Sequence, residues 1–224
     1  IYYGYIMPYI DIMPTAVYKD KLGHELTSHQ KVVLDHMVMH PNELSNEMAL
    51  LDRPEFKSMK DVVLSHVSKY EKDVCGFKDS LSFRITESWY RETVPGNNHG
   101  NHNHPNSMLS GCIYLHVPKQ PEGHTTNRPL WAGEGHEGIN LVHVENRGVF
   151  KNYGFFYDYI KTKYNAMRTF VPVKTGDIVL FPSYIEHFVS HNESQDESRK
   201  IIAFNTFIKG RMSGENTYPN VLTI

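Results

Sequence analysis

Residues His102–Leu115 read HNHPNSMLSGCIYL and place two histidines, one residue apart, directly before an alternating run. In that run apolar residues alternate with small or polar ones, which is typical of a β-strand with one buried face. On an extended segment, side chains two positions apart point to the same side, so His102 and His104 can approach one ion. Neutral imidazole binds Zn, Cu, Fe and Ni, and the stretch predicts a metal site. The alternative to a metal site is a polar loop in which these histidines are exposed to solvent.

Residues further along the chain complete this site. Residues Gly176–Ser183 read GDIVLFPS, a turn followed by a compact apolar strand, and His187 comes shortly after it. A third imidazole at this place predicts a mononuclear metal site inside a small β-barrel. Arg199 begins the last strand and shares a strand face with Ala203 and Asn205. It predicts an acidic co-substrate, because a guanidinium forks onto a carboxylate with two parallel hydrogen bonds.

Composition limits the classes of function. The chain has 224 residues and a formal net charge of −2 at pH 7. This near-neutral charge disfavours nucleic acid as a partner, since phosphate binding needs clustered lysine and arginine. No apolar run reaches the length of about 18 residues that a membrane-spanning helix needs. Two cysteines, Cys75 and Cys112, form no disulfide framework. We expect them to be small buried groups in a reducing, cytoplasmic environment.

The first third of the chain has helical periodicity. Residues Ser28–His40 carry apolar residues at mostly helical spacing. A second helix is predicted from Asp52, its expected cap, to Gly76, which ends it. Its apolar stripe is expected to face the back of a sheet and consists of Met59, Val62, Val63, Val67, Tyr70 and Val74.

From residue 81 the hydrophobic period changes to two, with Leu81, Phe83, Ile85 and Trp89 expected on one strand face. A loop is predicted over 93–106, and the aromatic-rich stretch Asn152–Tyr164 is a lid, an insertion or a short helix. Helices followed by many short strands favour one α+β domain around a sandwich or barrel. We expect a helical part over about 1–78 and a strand-rich core over about 80–208, within a single domain 1–224. Further strands are predicted at Leu109–Val117, Ile139–Val144, Ile178–Phe181, Glu186–Ser190 and Arg199–Ile208.

The ordered set of motifs resembles the 2-oxoglutarate/Fe(II)-dependent oxygenases, most of all a branch found in phage and bacterial genomes and related to prolyl hydroxylases. The resemblance implies a double-stranded β-helix (jelly roll) with the N-terminal helices packed outside. It also implies an enzyme that uses Fe(II), 2-oxoglutarate and O2, yields succinate and CO2, and hydroxylates an unidentified substrate. The matching residues are Trp89, His102–Pro105, Ser110–Leu115, Gly176–Ser183, His187 and Arg199–Asn205.

Individual roles follow from the resemblance by position. His102 and His187 take the places of metal ligands, and Arg199 takes the place of the arginine that grips the far carboxylate of 2-oxoglutarate. Tyr114 falls where related enzymes have a tyrosine that touches the same carboxylate. No catalytic residue beyond the metal site is implied. Separately, the sequence offers Asn205 and Trp131 as candidates for lining the substrate cavity.

Position 104 departs from the family pattern, which has Asp or Glu where this chain has His104. In the first alternative, which we favour, His104 is a third ligand, because it shares the face of His102. Alternatively it lies behind the ligands and leaves a position open, or a carboxylate comes from Glu134 or Glu137. In a third alignment, His104 is the first ligand and Asn106 takes the place of the acid.

Two other functions fit the same residues. A cupin-like three-histidine metalloenzyme would not use 2-oxoglutarate, and succinate formed during turnover distinguishes it from the oxygenase. A non-catalytic jelly-roll binding module would hold no iron, and the metal content after anaerobic loading with Fe(II) distinguishes that function.

Overall fold

The computed structural model describes residues 15–40, 44–77, 80–119, 138–142, 166 and 168–210. Within these ranges the chain forms helices and antiparallel strands, which confirms the mixed α and β class. The strands, in chain order, are β1 (Tyr18–Lys21), β2 (Leu81–Thr93), β3 (His99–His102), β4 (Leu109–His116), β5 (Gly138–Val142), β6 (Arg168–Pro172), β7 (Asp177–Pro182), β8 (His187–Val189) and β9 (Arg199–Gly210).

The described strands form two sheets. The major sheet has five strands in the order β1-β7-β4-β9-β2, and the minor sheet has four in the order β3-β8-β5-β6. Every paired neighbour is antiparallel. Chain neighbours such as β7 and β8 therefore lie in different sheets, and both sheets contribute to the space between them.

The first helix, α1 (Ser28–Asp35), begins at a capping box. The Thr27 hydroxyl accepts a hydrogen bond from the Gln30 N–H, and the Gln30 side chain accepts one from the Thr27 N–H. The helix stops at Asp35, so its predicted extension to His40 was wrong. The ring of the next residue, His36, bonds to the Val32 carbonyl and so satisfies one acceptor at the helix end.

The second helix, α2 (Lys57–Tyr70), follows two 3-10 turns, Leu50–Asp52 and Pro54–Phe56. Asp52 lies inside the first turn and pairs with Lys60, so its predicted role as a cap was wrong. Gly76 ends the helical segment as predicted, in the left-handed conformation with φ 64°.

A π-helical turn, Glu71–Cys75, lies between α2 and Gly76. Such a turn adds a residue to the helical repeat and shifts the phase of the apolar stripe. Val74 is consequently 46% exposed and does not belong to the buried stripe. Cys75 is exposed too, so the prediction that it is a buried group was wrong.

A β-bulge in β2 reverses the alternation of that strand. The register shifts between Ile85 and Glu87. Phe83 packs on the helix side of the major sheet, whereas Trp89 faces the space between the sheets. The prediction that Trp89 shares a face with Leu81 was wrong, because one extra residue moves every later side chain to the other face.

The other predicted strands agree with the structure to within a few residues at their ends. Strands β1, β3 and β6 were not predicted, and β3 lies inside the predicted loop 93–106. Its sequence, HGNH, has no apolar period that could mark it as a strand. The aromatic-rich stretch Asn152–Tyr164 lies outside the described residues.

Two buried cores hold these elements together. The first joins the helices to the outer face of the major sheet and includes Met59, Val63, Ile113 and Phe204. The second lies between the two sheets and gives way to a cavity. It includes Trp89, Tyr114, Ile139, Leu141, Val179, Phe181 and Ala203. In the described ranges, no helix has the length and apolar character to cross a membrane.

The first core leaves no room for a side chain at Gly111. A Cβ at this position would lie 2.2 Å from a Phe204 ring carbon and 2.8 Å from a Leu180 methyl carbon. We expect Gly111→Ala to lower the free energy of unfolding by about 1–3 kcal/mol, the usual cost of overpacking. Denaturant unfolding measures it, with Gly100→Ala as control because nothing lies within 4 Å of a Cβ there. Equal effects of the two substitutions would contradict this prediction.

Candidate metal centre

The inner face of the major sheet forms the floor of a cavity. Strand β9 lies between β4 and β2, so each inward side chain of β9 has a neighbour on one or both sides. The floor therefore consists of cross-strand rows that change from apolar to cationic along the sheet. The rows are Cys112–Ala203–Trp89, Tyr114–Ile201–Arg91 and, on two strands, Arg199–Thr93. A polar row, Ser110–Asn205–Glu87, lies next to the first of them and outside the lining of the cavity.

Three histidines face this floor from the side of the minor sheet. His102 ends β3 and pairs in register with His187, the first residue of β8. His104 follows β3, and its backbone N–H donates to the Ser183 carbonyl at 3.1 Å, which ties this segment to the end of β7. One ring nitrogen from each histidine lies within 4.8 Å of the others, and the Nε2 atoms of His104 and His187 are 3.3 Å apart.

Backbone carbonyls fix the orientation of two of these rings. Nδ1 of His102 donates to the Gly100 carbonyl at 2.8 Å, and Nδ1 of His187 donates to the Ile185 carbonyl at 3.0 Å. A carbonyl only accepts, so Nδ1 carries the hydrogen and Nε2 keeps its lone pair. Metal-ligating histidines are typically held in this way by a partner of the other ring nitrogen.

His104 is held by a different set of contacts. Its ring stacks on Trp89 with centroids 5.9 Å apart. Burial lowers the pKa of His104, and the Asn205 side chain beside the ring acts in the opposite direction. Asn205 is fixed in turn, since Oδ1 accepts from the Ser110 hydroxyl and Nδ2 donates to Glu87, both at 2.9 Å. Asn205 is therefore occupied beside His104, and its predicted role in lining the substrate cavity stays a prediction.

Burial keeps the clustered imidazoles neutral. Desolvation, with a contribution from neighbouring histidines, lowers the pKa of His187 to about 3 and the pKa of His104 to about 4. Desolvation also lowers the pKa of His102, against a raising effect of its bond to Gly100. Because metals bind the neutral form of imidazole, these rings are in the binding form at neutral pH.

Arg199 and Tyr114 line the same cavity as the three histidines. Arg199 is 3% exposed and Tyr114 is 2% exposed. Burial raises the pKa of Tyr114 well above its usual value, while the nearby Arg199 charge acts in the opposite direction. The phenol therefore keeps its proton and can donate a hydrogen bond. The structure thus brings together the five residues that the sequence predicted for metal and co-substrate.

Two residues of the cavity were missed by the sequence analysis. The His99 ring lies 4.0 Å from that of His102, and desolvation lowers the pKa of His99 to about 2. Arg91 lines the cavity from β2 and is 7% exposed. Its spacing of two from Trp89 is the signal that could have found it, once the bulge is known to turn Trp89 inward.

The remaining candidates lie elsewhere. Asn106 is exposed, adopts a positive φ of 61° in a turn, and does not line the cavity that holds the histidines. Trp131, Glu134 and Glu137 lie outside the described residues.

Cys112 is half-buried on the cavity floor, and burial raises the pKa of its thiol to about 12, so it stays protonated.

Acid is expected to destabilise the metal-free protein. The folded-state pKa values of these histidines lie below the ordinary value of 6.5, so below that pH the unfolded chain binds more protons. The free energy of unfolding should therefore fall between pH 6.5 and 4.5, by at most about 1.4 kcal/mol per pH unit for each histidine. Denaturant titrations across this range test it. His99→Phe should make the dependence shallower, and an identical slope would contradict the prediction.

Comparison with known proteins gives one family match. A family model described as "Putative 2OG-Fe(II) oxygenase" matches residues 87–205. A comparison with curated protein sequences found no match. The matched range contains every histidine of the cluster as well as Arg91, Tyr114 and Arg199.

Several solved structures resemble this chain. HygX from Streptomyces hygroscopicus with nickel and 2-oxoglutarate bound has a TM-score of 0.51 at 12% identity, covering 86% of this chain and 82% of that chain. HygX with iron bound has a TM-score of 0.50 at 13% identity, with the same shares covered. An oxidoreductase of the 2OG-Fe(II) oxygenase family from Burkholderia pseudomallei has a TM-score of 0.48 at 12% identity, covering 80% and 78%. At such identities the likeness concerns the fold alone.

Proposed function

Because this chain belongs to the 2OG-Fe(II) oxygenase family, we propose that His102, His104 and His187 hold its iron and that it hydroxylates a C–H bond of its substrate. The family model covers more than half of the chain. The protein is a 2-oxoglutarate-dependent dioxygenase, and its cofactors are Fe(II) and 2-oxoglutarate. It uses O2 and a further substrate.

The observation that carries the ligand assignment is the convergence of three oriented imidazoles. Nε2 of His102 and Nε2 of His187 each carry a lone pair, because Nδ1 of each ring holds the hydrogen and donates it to a carbonyl. The 3.3 Å between the Nε2 atoms of His104 and His187 suits two nitrogens on one ion, since metal–imidazole bonds are about 2.0–2.1 Å long. Imidazole is a suitable donor for Fe(II), so the residues fit this metal.

We assign the far carboxylate of 2-oxoglutarate to Arg199 and Tyr114. The guanidinium can make two parallel hydrogen bonds to a carboxylate, and the protonated phenol can add a third. Both side chains are buried, which keeps competing water away from this contact. When bound, iron and 2-oxoglutarate supply the oxidising chemistry, and the chain supplies orientation and a protected cavity. Apolar side chains of Ile139, Ile201 and Ala203 exclude water from part of that cavity.

The fold, the domain bounds and the cellular environment of the chain are proposed on further observations. Two antiparallel sheets with a buried cavity between them support a double-stranded β-helix (jelly roll), with helices on the outer face of the major sheet. We propose that 1–224 is a single oxygenase domain. Cys75 and Cys112 are free thiols, which supports a reducing, cytoplasmic environment.

Succinate formation tests the function directly. Protein loaded anaerobically with one equivalent of Fe(II) should convert 2-oxoglutarate and O2 to succinate and CO2, slowly even when no further substrate is added. Zn(II)-loaded protein is the matched control, because zinc binds the same imidazoles without redox chemistry. Stoichiometric iron without succinate would favour the cupin-like enzyme instead. Absence of stoichiometric iron would favour the binding module.

A further inference from the structure

The third histidine, His104, is backed by a side chain, whereas the other two are backed by the main chain. Nδ1 of His102 and Nδ1 of His187 each donate to a backbone carbonyl. Nε2 of His104 lies 3.3 Å from Nε2 of His187, which leaves Nδ1 for the Asn205 amide beside the ring. A backbone carbonyl always presents an oxygen, but an amide side chain can present its oxygen or its NH2 group. The orientation of the amide therefore decides what His104 meets.

Hydrogen bonds to Ser110 and Glu87 hold the Asn205 amide in one orientation. Oδ1 accepts from the Ser110 hydroxyl and Nδ2 donates to a Glu87 carboxylate oxygen, both at 2.9 Å. Burial lowers the pKa of His104, and the Asn205 side chain opposes this, which is the effect of an acceptor on an imidazole. Oδ1 therefore faces the ring. Its two lone pairs can accept from Ser110 and from Nδ1–H of His104 together.

Of the two partners of the amide, only Glu87 can dictate this orientation. A hydroxyl both donates and accepts, so Ser110 could bond to either end of the amide. An ionised carboxylate only accepts, so it requires the NH2 group to face Glu87 and leaves the oxygen for His104. Because Glu87 is exposed, water screens its charge, and Glu87 acts on the ring through the direction of this hydrogen bond.

The β-bulge in β2 brings Glu87 to this place. Before the bulge Ile85 pairs with Thr206, and a continued register would set Thr86 opposite Asn205. The extra residue sets Glu87 there instead. The partner of the amide is consequently a carboxylate, which only accepts, and not a hydroxyl, which would accept either orientation.

We propose that Glu87 is a positioning residue of the metal centre: through Asn205 it keeps an acceptor oxygen on Nδ1 of His104 and so reserves Nε2 for iron. This inference rests on the proposed function, since it takes His104 as an iron ligand. A carboxylate thus acts on the third ligand at one remove, although position 104 itself carries none. Groups that orient metal ligands in this way typically contribute about 10- to 100-fold to metal affinity.

Glu87→Lys reverses the demand on the amide, because an ammonium only donates and requires the amide oxygen to face it. The NH2 group then meets Nδ1–H of His104. The Fe(II) affinity, measured anaerobically by competition with a chelator, should fall about 10- to 100-fold. Glu87→Gln should lose less, since its amide oxygen can still accept. Glu25→Lys is the charge-matched control, because Glu25 is exposed and precedes α1, and it should keep the wild-type affinity.

A spectroscopic signature separates positioning from a general loosening of the site. Heteronuclear NMR of the imidazole nitrogens in the Zn(II)-loaded protein reports the Nδ1–H of each bound ring. Glu87→Lys should lose or shift this signal for His104 alone, because His102 and His187 keep their carbonyl partners. Asn205→Asp added to Glu87→Lys should restore both the signal and the affinity, since a carboxylate presents an acceptor oxygen to His104 and also accepts from the ammonium.

Equal Fe(II) affinities of Glu87→Lys and Glu25→Lys would overturn the proposal. An unchanged Nδ1–H signal of His104 in Glu87→Lys would overturn it as well, and so would equal changes at all three histidines. If Glu87→Lys does not fold, Asn205→Ala decides the case. That variant removes the acceptor, so it should lose the His104 signal alone, and a retained signal contradicts the proposal.

Failure of this inference and failure of the proposed function are distinguishable. Wild-type Fe(II) affinity in His104→Ala would remove His104 from the ligands and overturn the positioning role of Glu87 with it. If the wild type binds iron and shows the expected His104 signal but forms no succinate, the proposed function fails and the positioning role stands.

Discussion

His187→Ala and His102→Ala are each expected to abolish stoichiometric Fe(II) binding. One ring nitrogen of each lies within 4.8 Å of those of the other two histidines in the cluster. His99 does not belong to this cluster, although its ring lies 4.0 Å from that of His102. Removing one of three ligands leaves two imidazoles, too few for a stable mononuclear site. Iron content after anaerobic loading and desalting measures the effect.

A surface histidine provides the control for this experiment. His191 is exposed and bonds to Asn98 away from the cluster, so His191→Ala should keep wild-type iron content. Wild-type iron content in both His187→Ala and His102→Ala would show that the metal site lies elsewhere.

The third histidine distinguishes a three-histidine site from its alternatives. If His104 is a ligand, His104→Ala should weaken Fe(II) binding, and His104→Asp should restore or strengthen it because a carboxylate offsets one charge of the metal. If His104 only lies behind the ligands, His104→Ala should keep iron at full occupancy. Metal titrations of the two variants decide between these roles.

Arg199→Ala is expected to weaken 2-oxoglutarate binding by about a hundredfold or more. The substitution leaves a buried carboxylate without its partner, which costs roughly 3–5 kcal/mol. Arg199→Lys should recover only part of the affinity, because an ammonium cannot make two parallel bonds. Titration of 2-oxoglutarate into the Fe(II)-loaded protein, followed by the metal-to-ligand charge-transfer absorbance, measures the dissociation constant.

Tyr114→Phe is the matched comparison for Arg199. It keeps the ring that fills the floor and removes only the hydroxyl, so its effect on 2-oxoglutarate affinity should be smaller than that of Arg199→Ala. Iron binding should survive in all three variants, since neither residue belongs to the histidine cluster. An unchanged dissociation constant for 2-oxoglutarate in Arg199→Ala would contradict the assignment of the far carboxylate to Arg199.

The sequence predicted the centre of the fold well because its signals there are local. Alternation in β4 placed Tyr114 and Cys112 on the inner face, and the i, i+2 rule placed His102 and His104 on one side. The turn predicted at Gly176 was confirmed as well, since this glycine adopts a φ of 84° directly before β7. Each of these predictions depended on residues within one strand or one turn.

The features that were missed depend on partners far away in sequence. The bulge in β2 arises where Glu87 pairs with Asn205, and no period within residues 81–93 reveals it. Arg91 was overlooked for that reason. Likewise, β3 is a strand because β8 pairs with it, not because its polar sequence favours extended backbone.

The pairing of β3 with β8 has a consequence for the lifetime of the folded chain. This ladder is short, with matched pairs at His99–Val189 and His102–His187, and a ladder of that size opens easily on its own. An ion held by His102 and His187 would act as a removable cross-link between segments distant in sequence. A ligand at a hundred times its dissociation constant adds about 2.7 kcal/mol to the free energy of unfolding. Starvation for iron would then shorten the life of the protein in the presence of proteases, and its abundance would follow the metal supply.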